Sequence, residues 1–426
     1  MLIGFAIFGA DSALVLVATS SGQVIALRAV LAIGGAMIMP TTLAMIRTIF
    51  TDPVERARAL AIWSMTAGLG AVAGPLVGGT LLEFFSWHSA FLINVPIVVI
   101  AIVAGLLLLP EARDPNPPKW DFAATALAIA GMVATVWGIK GLAKNGFDHL
   151  GTWAELAAGL AVLALFVLRN LRQDDPMLDV RLFRRRPFSA GVLAALITSL
   201  AMAGVLLLVA QWLQTVAGFS PIVAGAALLP MAGGALVAAP LAPALAMRTS
   251  ARAVISGGLT AAGVGMLSLS LTADLTSYGQ LVVPLALVGA GLGSLAIASA
   301  IIMGSAPAAK AGDAAAIEES MYDIGNVLGI AIIGSIAAAI YRASLHVETL
   351  VAQGLDPAYA EAAEESVAQA LVISEQTGNT GLGAAAATAF GDGLAFASTV
   401  GGVVLLATAA IVFRLVPKKF SLTGAH

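Results

Sequence analysis

No cysteine occurs among the 426 residues, so disulfides, thiol chemistry and cysteine metal sites are excluded. Charge is nearly as scarce: Asp, Glu, Lys and Arg make up 11% of the chain, against about 25% in soluble domains. The four histidines, His88, His149, His346 and His426, are scattered near helix ends and in loops and read as surface residues rather than ligands. No loop holds a nucleophile, a metal cluster or a glycine-rich phosphate turn, so no cofactor or metal is expected and the chain does not read as an enzyme. Residues 1–20 lack the basic start of a cleavable signal peptide and read as a spanning helix.

What fills the chain is apolar: 59% of residues are hydrophobic and the mean hydropathy is +0.97. A water-soluble fold could not bury so much apolar surface. The apolar stretches are continuous rather than alternating, which excludes a β-barrel, and helices are the other way to satisfy the backbone in lipid. The expectation is therefore an all-α polytopic membrane protein with twelve apolar runs, at 2–20, 22–46, 57–82, 89–109, 121–141, 151–170, 188–213, 220–246, 252–272, 279–304, 313–341 and 390–414.

Lys and Arg set the orientation. If residue 1 starts on the cytoplasmic side, the outer segments hold only Lys140, Lys144 and Arg342. All other basic residues are inner except Arg28, which lies inside a run, and both termini come out cytoplasmic. Residues 171–187 form a basic inner linker, which topology control or binding of anionic headgroups would each explain. Residues 343–389 form a long outer segment with six acids and no Lys or Arg, read as short amphipathic helices in a solvated hairpin.

Three strings carry more than hydropathy. The first is G-A-V-A-G-P-L-V-G-G, with Gly70, Gly74, Gly78 and Gly79 around Pro75, in a run uncharged from Ala59 to Leu82. Glycine every fourth residue leaves a stripe that a neighbouring helix can approach, and the proline bends the helix. The second is Gln211–Pro230, Q-W-L-Q-T-V-A-G-F-S-P-I-V-A-G-A-A-L-L-P, whose Gln211, Trp212 and Gln214 could line a cavity or form an interfacial belt. The third is D-A-A-A-I-E-E-S-M-Y-D-I-G-N-V-L-G in the eleventh run. At 100° per residue, Glu319, Asp323 and Asn326 share one helix face within about 60°. Glu318 points about 100° away and reads as a helix-start acid favoured by the dipole. Carboxylates entering a membrane are expensive unless they face water or a partner, and one that titrates there can exchange a proton for a cation.

The glycine string resembles the antiporter motif of the major facilitator superfamily, in its fourteen-helix drug:proton branch. V-I-A-L-R-A-V-L-A-I-G-G-A around Arg28 is similar to a further superfamily motif, with Leu31 and Ala32 in place of the usual Gln and Gly. Trp87–Pro96 and Gln211–Pro230 resemble strings of the same branch, and Pro240–Arg252 a degenerate copy of its gating loop. The resemblance implies two helix bundles with an extra helix pair between them. The divisions expected are 1–110, a four-helix N-terminal bundle; 111–180, the inserted pair and linker; and 181–426, a six-helix C-terminal bundle. The family's first two helices have no counterpart after Met1, so the resemblance implies an N-terminally incomplete chain.

It also implies a proton-coupled multidrug antiporter of the inner membrane, exporting lipophilic cations of the quaternary ammonium type. A dedicated exporter of one metabolite, or an inactive remnant, are the alternatives. Arg28, Asp323 and Glu319 would couple protons; Glu319, Asp323, Asn326, Gln211, Gln214 and Trp212 would contact substrate. Partners would be cationic drugs, protons and the bilayer, with no nucleic acid, and the state monomeric. Pumps that take divalent cations often carry another acid in the run matching 279–304, where Leu295–Met303 here has none, so monovalent cations are expected to be handled better. Asp11, midway along the first run, is either a proton site or paired with a group the sequence does not reveal.

Overall fold

In a computed structural model of the chain, the residues described are all except 51, 110–120, 146–148, 174–175, 177, 272–277, 308–309, 353, 419 and 421–426. Every regular element among them is helical. The chain divides into two compact units, Met1–Lys119 with Ser220–Ala226, and Trp120–Phe219 with Ala227–His426.

The first unit contains α1 (Leu2–Leu14), α2 (Ser21–Ile49), α3 (Pro53–Phe84), α4 (Ser89–Leu92) and α5 (Asn94–Leu108). A capping box separates α1 from α2: the Ser20 hydroxyl accepts from the Gln23 N–H, and the Gln23 amide oxygen accepts from the Ser20 N–H. α1 packs on α2 and on α5.

The second unit begins with the antiparallel pair α6 (Phe122–Asn145) and α7 (Leu150–Arg172), packed along their length. Asp121 closes the pair at one end, accepting two hydrogen bonds of 3.0 Å from Arg169 and one of 2.8 Å from Gln173. α8 (Arg186–Gln211) follows, then α9 (Pro221–Ala227), which belongs to the first unit, and α10 (Leu229–Arg248), α11 (Ala251–Ser270), α12 (Gly279–Gly293) and α13 (Leu295–Ser305). α14 (Ala311–Leu345) lies along α8; α11 lies along α18 (Thr380–Leu415) and α10 along α12. Between α14 and α18 come α15 (Val347–Ala352), α16 (Pro357–Glu365) and α17 (Val367–Thr377).

Ten segments among the described residues are long and apolar enough to cross a membrane. Two of the twelve expected runs are not among them. The first forms a helix over Leu2–Val17, which reaches about 24 Å against the roughly 30 Å of hydrocarbon. The third lies inside α3, where many side chains before Gly74 fall outside the described residues, Arg56 and Arg58 included. Arg113 and Lys119 also lie outside them. The segment 343–389 does fold into short helices, but its last ten residues belong to α18. Gly378, at φ +67°, ends α17, and the Asn379 side chain accepts the Leu382 N–H at 3.1 Å to start α18 early. The Tyr341 hydroxyl donates to the Ala363 carbonyl at 2.8 Å and ties α16 to α14.

The basic linker uses much of its charge internally. Arg181 donates to the carbonyls of Leu171 and Gln173, each at 3.0 Å, and Arg185 to that of Ser305 at 2.7 Å. Asp179 pairs with Lys310 at 3.8 Å, which joins the linker to the start of α14.

Candidate functional site

The acidic turn of α14 is set by what its other face packs against. Ala314 and Ile317 enter an apolar cluster with Leu182, Phe188, Val192 and Ile302, which fixes the rotation of α14 against α8 and α13. Glu318, next to Ile317, is thereby turned inward and is 8% exposed. Its carboxylate accepts from the Ser299 hydroxyl on α13 at 3.2 Å and from the Tyr322 hydroxyl, one turn on, at 3.1 Å. Glu319 is half-buried, and Asp323 and Asn326 are exposed on the adjoining face. Among the described residues, neither Glu319 nor Asp323 has an ion-pair or hydrogen-bond partner.

Glu318 is therefore not the solvated helix-start acid that the sequence suggests. It lies seven residues into α14, beyond the first turn where the dipole acts, and is held by side chains. Two signals pointed to it: Tyr322 at i+4, and Ser299 as the one polar residue in L-A-I-A-S-A-I-I-M.

Gln211, Trp212 and Gln214 lie at a π-helical turn, Trp212–Val216, in which the Ala217 N–H reaches back to the Trp212 carbonyl at 2.9 Å. Such turns recur at functional positions. Trp212 is buried; Gln211 and Gln214 are exposed. They do not join the acids. α8 and α14 run side by side in the same direction, Leu196 against Gly325 and Leu200 against Gly329. Glu319 is then level with the start of α8 and Gln211 with its end, about 30 Å away along the bundle.

In the first unit the glycine string makes its contact at one end. A Cβ built on Gly79 would collide with the Pro221 carbonyl of α9, and one on Gly225 with the Pro75 carbonyl. Glu83 accepts the Ile222 N–H at 3.5 Å beside them. Among the described residues nothing comes within 4 Å of a Cβ at Gly70, Gly74 or Gly78. The close approach expected of that stripe is made by Gly79 instead, and the partner is the second string, through Pro221 and Gly225.

Arg28 is exposed, and its guanidinium lies 5.1 Å from the centre of the Phe91 ring, a cation–π distance. Phe91 belongs to Trp87–Pro96, so two strings singled out separately meet here. Asp11 is 2% exposed, and neither carboxylate oxygen has a partner among the described residues. Its neighbour Ser12 accepts from the Asn94 amide at 3.4 Å. No group of three metal-ligating side chains occurs among the described residues.

Residues 1–340 match the sequence profile of the Major Facilitator Superfamily. The chain is 36% identical over 416 residues to the multidrug efflux pump LfrA of Mycolicibacterium smegmatis, covering 97% of this chain and 82% of that one. It is 34% identical over 378 residues to the methyl viologen resistance protein SmvA of Salmonella typhimurium, covering 88% and 75%. Among solved structures, a bacterial homolog of the human lysosomal transporter Spinster superimposes with a TM-score of 0.62 at 19% identity, covering 97% of this chain and 81% of that chain, a likeness of fold.

Proposed function

From a chain that belongs to the Major Facilitator Superfamily, we propose a proton-coupled exporter of lipophilic cations, working through the acidic turn of α14. That it is a multi-pass membrane transporter with multidrug efflux pumps among its relatives follows from the family and from those relatives. The proton coupling, the cationic substrates and the residues are the proposal.

The observation that carries it is the split among three carboxylates within two turns of one helix. Glu319, half-buried, and Asp323, exposed, have no partner among the described residues, while Glu318 is closed off by Ser299 and Tyr322. A carboxylate pair without such partners on a membrane helix can hold either protons or an organic cation, and that competition links the two fluxes. Asn326, on the same face, adds an amide to the binding surface. Arg28 would serve on the proton side of the cycle. Gln211, Trp212 and Gln214 would meet substrate at the other end of the second unit, as a second station. The relatives' names, multidrug efflux and methyl viologen resistance, fit this substrate range. An inner-membrane location with both termini cytoplasmic, and the fourteen-helix branch, go with the proposal.

The test is transport in everted membrane vesicles. Adding a cationic dye should release protons from the vesicle lumen, and Asp323→Asn should abolish that release while Asp323→Glu preserves it. Dye transport by Asp323→Asn at the wild-type rate would overturn the assignment.

A further inference from the structure

Two strings of the first unit meet in a series of stacked side chains. Arg28 lies seven residues into α2, about 10 Å along the helix from Ser21 and inside the apolar span Ser21–Met39. A guanidinium at that depth needs water or a partner. No carboxylate among the described residues pairs with it. Glu83, at the end of α3, accepts the Ile222 N–H, and neither oxygen of Asp11 on α1 has a partner among the described residues. What lies against Arg28 is the Phe91 ring, whose centre is 5.1 Å from the guanidinium carbon. Phe91 is itself braced. Trp87, four residues earlier, packs on it edge to face with centroids 6.1 Å apart, and His88 stacks on Trp87 at 3.9 Å. The Ser86 hydroxyl lies 3.3 Å from His88 Nδ1.

An aliphatic side chain of similar size would not do the same work as this ring. An aromatic face carries negative potential and attracts a cation, and an aliphatic surface does not. We infer that Phe91 is a positioning residue: its ring holds the Arg28 guanidinium inside the membrane span, and Ser86, Trp87 and His88 brace the ring. The inference rests on the role proposed above for Arg28 in the proton cycle. Without the ring, the long side chain of Arg28 turns toward the water at the nearer end of α2, away from the depth at which it acts.

Phenylalanine carrying one, two or three ring fluorines, introduced at position 91 of the full chain by nonsense suppression, tests this. Fluorination weakens the negative face stepwise and nearly keeps the shape of the ring. Dye-driven proton release in everted vesicles should fall with each fluorine, to about two- to fivefold below wild type at three, the scale of a cation–π contact at an exposed site. Phe91→Leu should lose at least as much, and Phe91→Tyr should retain release. Equal release across the fluorine series, with Arg28→Gln inactive, overturns the inference and leaves the role of Arg28 standing. Full release from Arg28→Gln removes that role and the inference with it. A double-mutant cycle on the thermal midpoint, pairing Arg28→Gln with Phe91→Leu, reads the contact without transport: coupling between the two is expected, and strict additivity overturns the inference whatever the vesicles show.

Discussion

The hydroxyl of Ser299 on α13 donates a 3.2 Å hydrogen bond to the buried carboxylate of Glu318 on α14. The run 279–304, where an acid is expected in pumps that take divalent cations, has a hydroxyl here that supports an acid on the neighbouring helix. A hydrogen bond to a charged group contributes about 1.5–3 kcal/mol. Ser299→Ala should therefore lower the thermal midpoint of the detergent-purified chain, and Glu318→Ala should lower it more, because the Tyr322 hydroxyl loses its acceptor too. Residues in one network couple by about 0.5–3 kcal/mol in a double-mutant cycle. Strict additivity of the two changes would show that the bond contributes nothing.

Gly79 and Gly70 belong to one string but should respond oppositely to the same change. A Cβ at Gly79 meets the Pro221 carbonyl, whereas a Cβ at Gly70 meets nothing within 4 Å among the described residues. Forced overpacking costs about 1–3 kcal/mol, while glycine to alanine in an open helix gains up to about 1 kcal/mol. Gly79→Ala should lower the midpoint and reduce efflux, and Gly70→Ala should leave the midpoint unchanged or raise it. Comparable losses from both would mean that the contact between α3 and α9 is not what the string is for.

Helix class and most boundaries were legible because a membrane leaves the backbone few options, and because runs such as 188–213 are bounded by Arg186 and Phe219-Ser220-Pro221. Rotation was not legible. The 100° rule groups Glu319, Asp323 and Asn326. It could not say that Ile317 would sink into the cluster around Phe188 and carry Glu318 inward with it. Nor could it say that Gln211 and Glu319, both flagged for substrate, lie at opposite ends of parallel helices. The meeting of Pro75 and Gly79 with Pro221 and Gly225 joins positions about 140 residues apart, and no local pattern encodes that.

Acid should loosen the α6–α7 pair selectively. Hydrogen bonds from Arg169, from the Ala124 N–H and from Gln173 hold the Asp121 carboxyl well below the usual carboxylate range. A group whose value is lowered on folding stabilises the protein above its unfolded value, near 3.9, and that contribution is lost as pH falls toward the folded value. The thermal midpoint of wild type should therefore exceed that of Asp121→Asn at pH 7, and the gap should narrow only below about pH 4. A constant gap down to pH 3 would show that Asp121 contributes by shape rather than charge.

Asp11 should be a site where removing a charge stabilises. It is 2% exposed on α1, and both its oxygens lack a partner among the described residues. Leaving a buried acceptor unsatisfied costs about 1–3 kcal/mol, more if it is charged. Leucine has nearly the same shape, so Asp11→Leu should raise the thermal midpoint, and Asp11→Asn, whose amide is equally unpaired, should raise it less. The transport assay then separates two roles. If Asp11→Leu is more stable and still releases protons when dye is added, the carboxylate is a tolerated cost of this sequence. If the variant is more stable but no longer couples, the unpaired acid is retained for the proton it carries, and the first unit has a titrating group of its own besides the carboxylates of α14.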